Sequence, residues 1–109
     1  MKKLLYLVLK GNAKAFETLD ELKKGGFNAT IASAESLKKA ISLYPEEHHF
    51  FNLRHLEDIN NSESVLGLFV IDEDRLEEAK NIVRNNTENF TLIKGFMFSV
   101  DLLDYEGSI

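Results

Sequence analysis

Two apolar runs, Leu4-Leu5-Tyr6-Leu7-Val8-Leu9 and Val65-Leu66-Gly67-Leu68-Phe69-Val70-Ile71, decide how this chain folds. Each is followed by a polar turn, an amphipathic helical stretch and a second strand-like run. The first leads into Ala13 to Lys24 and then Phe27 to Ile31; the second leads into Glu73 to Arg84 and then Phe90 to Val100. One pattern is stated twice, as a doubled βαβ unit.

In the first helical stretch Ala13, Phe16, Leu19 and Leu22 recur at helical spacing, with Glu17, Asp20, Glu21, Lys23 and Lys24 filling the other face. Asn12 fits an N-cap and Gly25-Gly26 a C-terminal stop. In the second, Asp72 is placed to cap a helix whose apolar stripe is Leu76, Ala79, Ile82 and Val83. Asp72, Glu73 and Asp74 have the composition of a catalytic cluster, but carboxylates gather at helix N-termini because the dipole is positive there, and capping accounts for them.

Leu4–Leu9 and Val65–Ile71 are apolar almost without interruption, as strands buried on both faces are, whereas Phe27, Ala29 and Ile31 alternate with Asn28 and Thr30. Phe96, Phe98 and Val100 alternate in the same way. Strands one and three are therefore expected at the centre and two and four at the edges. Order 4-1-3-2 meets this with right-handed crossovers, giving an α+β, ferredoxin-like βαββαβ fold with an antiparallel sheet.

Two helices cover one face of such a sheet. Tyr6, Val8, Leu66, Leu68 and Val70 fall on the other face and are as apolar as their neighbours. At about 25 cal/mol per Å² of apolar area, a wet face would forfeit several kcal/mol. Either the stretch between strands two and three folds across it or identical chains pack there, and a homo-oligomer is expected.

The 109 residues suffice for one domain, of a size that buries roughly 60 to 70% of its unfolded surface without disulfide or metal. With no cysteine there is no thiol nucleophile and no disulfide framework, which suits a reducing cytoplasm. Lys10 stops the apolar run after Lys2 and Lys3 short of a signal-peptide core, and no run approaches a membrane span. A soluble, cytoplasmic protein without a membrane partner is expected. The net charge of −5 argues against a nucleic acid polymer, whose phosphates need clustered Lys and Arg.

The repeat is broken by Ala34 to Ser64. A hairpin there needs two to five residues, and this connection runs to roughly thirty. It reads as partly helical: Leu37, Ala40, Ile41 and Tyr44 form a stripe, Pro45 interrupts it, and Phe50, Leu53 and Leu56 continue at three-residue spacing, with Asp58–Ser64 as its mobile part. All three histidines fall here. His48 and His55, seven apart, lie near 10 Å from one another on a continuous helix, too far for one ion within a chain. His49 does not supply the missing spacing, so no metal ligand is assigned within one chain. Tyr44, Phe50 and Phe51 suit either pinning the insertion to the sheet or stacking on a ring. Arg54 is a fair anion anchor, because its fork reaches two oxygens at once.

With the repeat, the strand order and the long second connection together, the chain resembles the PII-like signalling family. The resemblance rests on Phe27-Asn28-Ala29-Thr30 and on Leu68-Phe69-Val70-Ile71-Asp72 followed by Leu76 to Val83, and it spans nearly the whole chain. It implies a single domain over 1–109 with a T-loop-like insertion at 34–64. It further implies a trimer whose sheets face inward, and that this insertion between strands two and three reports binding of a small molecule, possibly a nucleotide, to a target protein. In the cyclic-di-AMP-receptor branch a similar Ala-Thr pair contacts the nucleotide; Ala29 and Thr30 match it, Asn28 stands where that branch has arginine, and Ser33-Ala34-Glu35-Ser36 replaces its glycine-rich turn. In the ATP-binding branch a glycine- and basic-rich loop precedes strand four; here Asn85-Asn86-Thr87-Glu88-Asn89 occupies that place, with Lys94-Gly95 close by.

The expected function is thus a non-enzymatic sensor or adaptor with a cleft between subunits, bordered by Asn28, Ala29, Thr30, Arg54, Lys94 and Gly95. No cofactor is named and no catalytic residue assigned. Two alternatives stand beside it: a metal-binding trimer resembling the divalent-ion-tolerance proteins, using the histidines between chains, and a small ferredoxin-like enzyme with its pocket on the open sheet face.

Overall fold

The computed structural model describes residues 1–11, 13–35 and 64–108. They form strand β1 (Lys2–Lys10), helix α1 (Ala13–Lys24), strand β2 (Ala29–Ala34), strand β3 (Ser64–Asp72), a 3-10 turn (Glu73–Arg75), helix α2 (Leu76–Thr87) and strand β4 (Gly95–Leu102). This is a small α+β arrangement of one four-stranded antiparallel sheet and two helices. The strands lie in the order β2-β3-β1-β4, or β4-β1-β3-β2 counted from the other edge. β1 and β3 pair along their whole length, from Lys2 opposite Asp72 to Lys10 opposite Ser64.

Period two along the strands sorts their side chains between two faces. Leu5, Leu7 and Leu9 of β1 and Val65, Phe69 and Ile71 of β3 are buried. All but Val65 join Ala15 and Leu22 of α1, Ala79 and Val83 of α2, and Phe27 and Ile93 in one core. α1 and α2 are in contact with each other. Their buried positions are largely small, Ala15 and Thr18 on one and Ala79, Val83 and Thr87 on the other, which lets two helices lie close.

The buried stripe of α1 differs from the one read from spacing. Ala15, Thr18 and Leu22 are buried and Leu19 half-buried, while Ala13 is exposed and Phe16 is 49% exposed. Counting apolar residues favoured the larger Phe16, but close packing against α2 selects the small ones. The C-terminus of α1 follows expectation. Gly26 takes φ +91°, the amide of Phe27 donates to the Leu22 carbonyl at 3.0 Å, and that of Gly26 to the Lys23 carbonyl at 2.9 Å. This is a Schellman closure, with Phe27 and Leu22 both buried beneath it.

Four boundaries shift, the first of them that of the second helix, which runs over Leu76–Thr87 after the 3-10 turn rather than over Glu73 to Arg84. β2 runs over Ala29–Ala34 rather than Phe27–Ile31, because Phe27 belongs to the helix closure. β4 runs over Gly95–Leu102 rather than from Phe90, because Glu88, Asn89 and Phe90 form a left-handed turn with φ between 51° and 63°. That turn is tied by the Thr87 hydroxyl, which donates to the Val83 carbonyl at 2.8 Å and accepts from the Phe90 amide at 3.1 Å. Ser64 opens β3 instead of ending a mobile segment. Asp72 precedes a 3-10 turn and makes no capping hydrogen bond; its carboxylate pairs with Lys2 at 2.6 Å.

The remaining readings of the insertion, including its helical stripe, Arg54, the three histidines and Tyr44, Phe50 and Phe51, lie outside the described residues. No helix among the described residues is long and apolar enough to cross a membrane.

Candidate functional site

The flank where β2 meets α1 and the end of β3 holds two adjoining pockets, with Phe27 and Asn28 in the wall of both. Phe27 is there because the Schellman closure drives its ring inward. Asn28 is the hinge residue between helix and strand, and its side-chain oxygen accepts from the Ala29 amide at 2.9 Å.

The first pocket, of about 310 Å³, is mostly polar. Lys2 and Asp72, directly opposite on β1 and β3, meet there as an ion pair. The hydrogen bond and the charge of its partner raise the Lys2 ammonium pKa and lower that of the Asp72 carboxyl. Arg75 donates to the Gly25 carbonyl at 2.7 Å and to Glu78 at 2.6 Å, and its guanidinium carbon lies 4.3 Å from the centre of the Phe27 ring. Tyr105 and Gly107, from the chain beyond β4, also line it. Both cations are thus engaged by the protein's own acceptors, which leaves the pocket poorly suited to an incoming anion.

The second pocket, of about 330 Å³, is apolar. Leu19, Phe27, Ala29 and Phe69 line it, and Phe16 and Ile31, 49% and 44% exposed, stand in its walls. Asp20, Lys23 and Asn28 supply the polar groups. Asp20 is held by Lys24 at 3.3 Å. The misplaced stripe of α1 has its counterpart here: the phenylalanine that spacing assigned to the core lines a groove instead.

On the far side of the sheet lies a third feature. Leu4, Tyr6 and Val8, with Leu66, Leu68 and Val70 across on β3 and Phe96, Phe98 and Val100 across on β4, share the face opposite the helices. Thr30, Ala32 and Ala34 extend it on β2. Tyr6 and Phe98 stack with centroids 4.7 Å apart, and Phe96 lies 6.4 Å from each. Charge appears only in the end rows, as Lys2 with Asp72 at one end and Lys10 at the other. Phe96, Phe98 and Val100 are 51, 46 and 44% exposed.

The residues read from the sequence as a binding site divide between these places. Asn28 and Ala29 line the groove beside α1. Thr30, paired with Leu68, points to the open face. Lys94 and Gly95 sit at the start of β4 on the opposite sheet edge, where the Lys94 carbonyl accepts from the Lys10 amide at 2.8 Å. Gly95 lies so near β1 that a Cβ would meet the Val8 carbonyl oxygen, so the glycine serves strand approach. Three strand spacings, about 14 Å, separate the two edges, so one chain does not unite the two groups. Arg75, Phe16 and Tyr105 are site residues that sequence reading missed. The signal for Arg75 was its place one turn into the acidic start of the second helical stretch; Tyr105 had none. Among the described residues no three of His, Cys, Asp or Glu come together as a metal site.

No family model matches this chain, and no curated protein matches it.

Proposed function

We propose that this protein is a non-catalytic sensor or adaptor built on a ferredoxin-like unit, similar to the PII-like proteins. In this reading copies associate through the open sheet face, and a small molecule binds along the β2 flank near Asn28 and Ala29. The connection between β2 and β3 leaves from the other end of β2, beyond Ala34, and would carry the response to a target protein. The observation that carries the reading is the open face itself, an apolar surface spanning all four strands with a stacked aromatic cluster and charge only at its ends. A second copy offers the same largely apolar, uncharged chemistry between the end rows, which a typical polar surface would not. Association also supplies what one chain lacks, a way to bring the Lys94 edge of one copy near the Asn28 flank of another. Trimer is the assembly the resemblance favours.

Light scattering across a dilution series tests the assembly, and a mass of one chain at micromolar concentration overturns it. Thermal shift against nucleotides and small metabolites tests the ligand: a hit abolished by Asn28→Ala supports the site. A blank panel from intact oligomers would leave protein binding alone.

A further inference from the structure

We infer that the polar pocket beside Asn28 binds a small zwitterion of the α-amino-acid kind, with an ammonium and a carboxylate a few bonds apart. This rests on the reading of that flank as a ligand site, whose ligand class it names, and not on how copies associate.

The charges around the pocket set the class. Lys2, Asp72 and Arg75 line it, two cations and one anion. A lone anion would meet Asp72 as well as the cations, and a lone cation would meet Lys2 and Arg75. A ligand bearing both signs finds an opposite charge for each of its ends. The groups also retain the capacity to hold it. An ammonium has three donors and a carboxylate two oxygens, and the contact between Lys2 and the Asp72 Oδ1 at 2.6 Å uses one of each. A zwitterion can therefore set its carboxylate on Lys2 and its ammonium on Oδ2 of Asp72, closing a ring of alternating charge without breaking the existing pair. Arg75 offers a second hold on the carboxylate. Both its hydrogen bonds leave from Nη2, to Gly25 and Glu78, and Nη1, beside Gly26, makes none among the described residues.

Size and lining agree with this class. A volume of about 310 Å³ lies at the small end of ligand sites and suits a compact molecule. Phe27 and Ile71, both buried, give the pocket an apolar lining beside its charges, where an ion pair is stronger than in open water. Tyr105 and Ser108 line it too, and among the described residues their hydroxyls make no hydrogen bond. The same holds for the backbone of 103–108. A ligand oxygen that bonds these hydroxyls would order the segment beyond β4.

The probes are glycine, alanine, serine, aspartate and glutamate, titrated into the full chain by calorimetry. At least one should bind. Blocking either end of that ligand, as its N-acetyl acid or its carboxamide, should weaken it about tenfold or more, and these ligands test the inference without altering the protein. Asp72→Asn and Lys2→Gln should each weaken it as much with an unchanged circular dichroism spectrum, because an exposed ion pair adds little to stability. Lys14→Gln, in an exposed pair that lines neither pocket described above, should leave binding within about twofold. Hydrogen exchange along 103–108 should slow with ligand. The inference falls if no amino acid binds, if a blocked ligand binds as well as its parent, or if Asp72→Asn binds as tightly as the unaltered chain. A nucleotide or other metabolite whose binding is lost in Asn28→Ala, with no amino acid binding, overturns this ligand class and keeps the flank as a site.

Discussion

The two faces of the sheet are built from the same strands and nearly the same residue types, yet one is sealed and the other open. On β1 the consecutive residues Leu4 and Leu5 point to opposite faces. Leu5 is fully buried under the helices, and Leu4 is half-buried on the side without them. Apolarity alone therefore does not say which face is the core. What decides it is supply: two short helices, joined through small residues, cover one face and no more. The apolar residues on the other face are a demand for contact that the described residues do not meet.

The pair Leu4 and Leu5 offers the largest test of this difference. Leu5→Ala removes a fully enclosed side chain and is expected to cost about 2–5 kcal/mol by urea unfolding. Leu4→Ala, in dilute protein, should cost less, about 1 kcal/mol, since part of that side chain is already wet. If copies associate through the open face, the Leu4→Ala cost grows with protein concentration while that of Leu5→Ala stays constant. Equal costs at every concentration would mean that the open face is sealed within each chain.

The second test acts on the open face alone. Phe98→Asp places a carboxylate beside Tyr6 in the aromatic stack, at a site exposed enough for the fold to tolerate it. It should weaken self-association about tenfold or more in analytical ultracentrifugation and leave the circular dichroism spectrum unchanged. An unchanged association constant would place the contact between copies elsewhere.

The sealed side has an internal contrast of its own in two buried threonines. The Thr18 hydroxyl only donates, to the Lys14 carbonyl at 3.1 Å, and that carbonyl keeps its place within α1. The Thr87 hydroxyl both donates and accepts, and the Phe90 amide depends on it in a turn of three left-handed residues. Thr18→Val should be nearly neutral, whereas Thr87→Val strands a donor and should cost about 1 kcal/mol in thermal unfolding. Equal effects would show that the turn stands without its hydroxyl.

Most of the sheet was legible in sequence because continuous against alternating apolarity reports how many faces of a strand are buried. That placed β1 and β3 at the centre. The glycines after α1 were legible too, since a left-handed closure has few other solutions. Phe16 was not, because hydrophobic spacing weighs size and helix contact selects small residues. Asp72 was misread for a related reason: a carboxylate before a helix has two good partners, the amides ahead and a lysine across the sheet, and strand register decides between them. Of the candidate site, Asn28 and Ala29 fell in a groove. Tyr105 could not be read, since its part in the polar pocket depends on how the chain turns beyond β4.

The smallest effect lies at the border of the open face, where Lys2 and Asp72 close one end of the apolar rows. Asp72 has a pKa below its ordinary value in the folded chain, through its hydrogen bond with Lys2 and then the lysine's charge. A carboxyl with a depressed folded pKa contributes stability at pH above its unfolded pKa, and that contribution is lost as pH falls through the folded value. Both partners are exposed, so solvent screens the pair and unfolding at neutral pH should hardly register it. The titration itself is the sensitive readout. In an NMR pH series the Asp72 carboxyl should protonate below the normal carboxylate range, and Lys2→Ala should return it there. If copies meet on this face and bury the pair, the depression deepens with protein concentration. A midpoint unmoved by both Lys2→Ala and dilution would show that the pair neither holds Asp72 nor borders a contact.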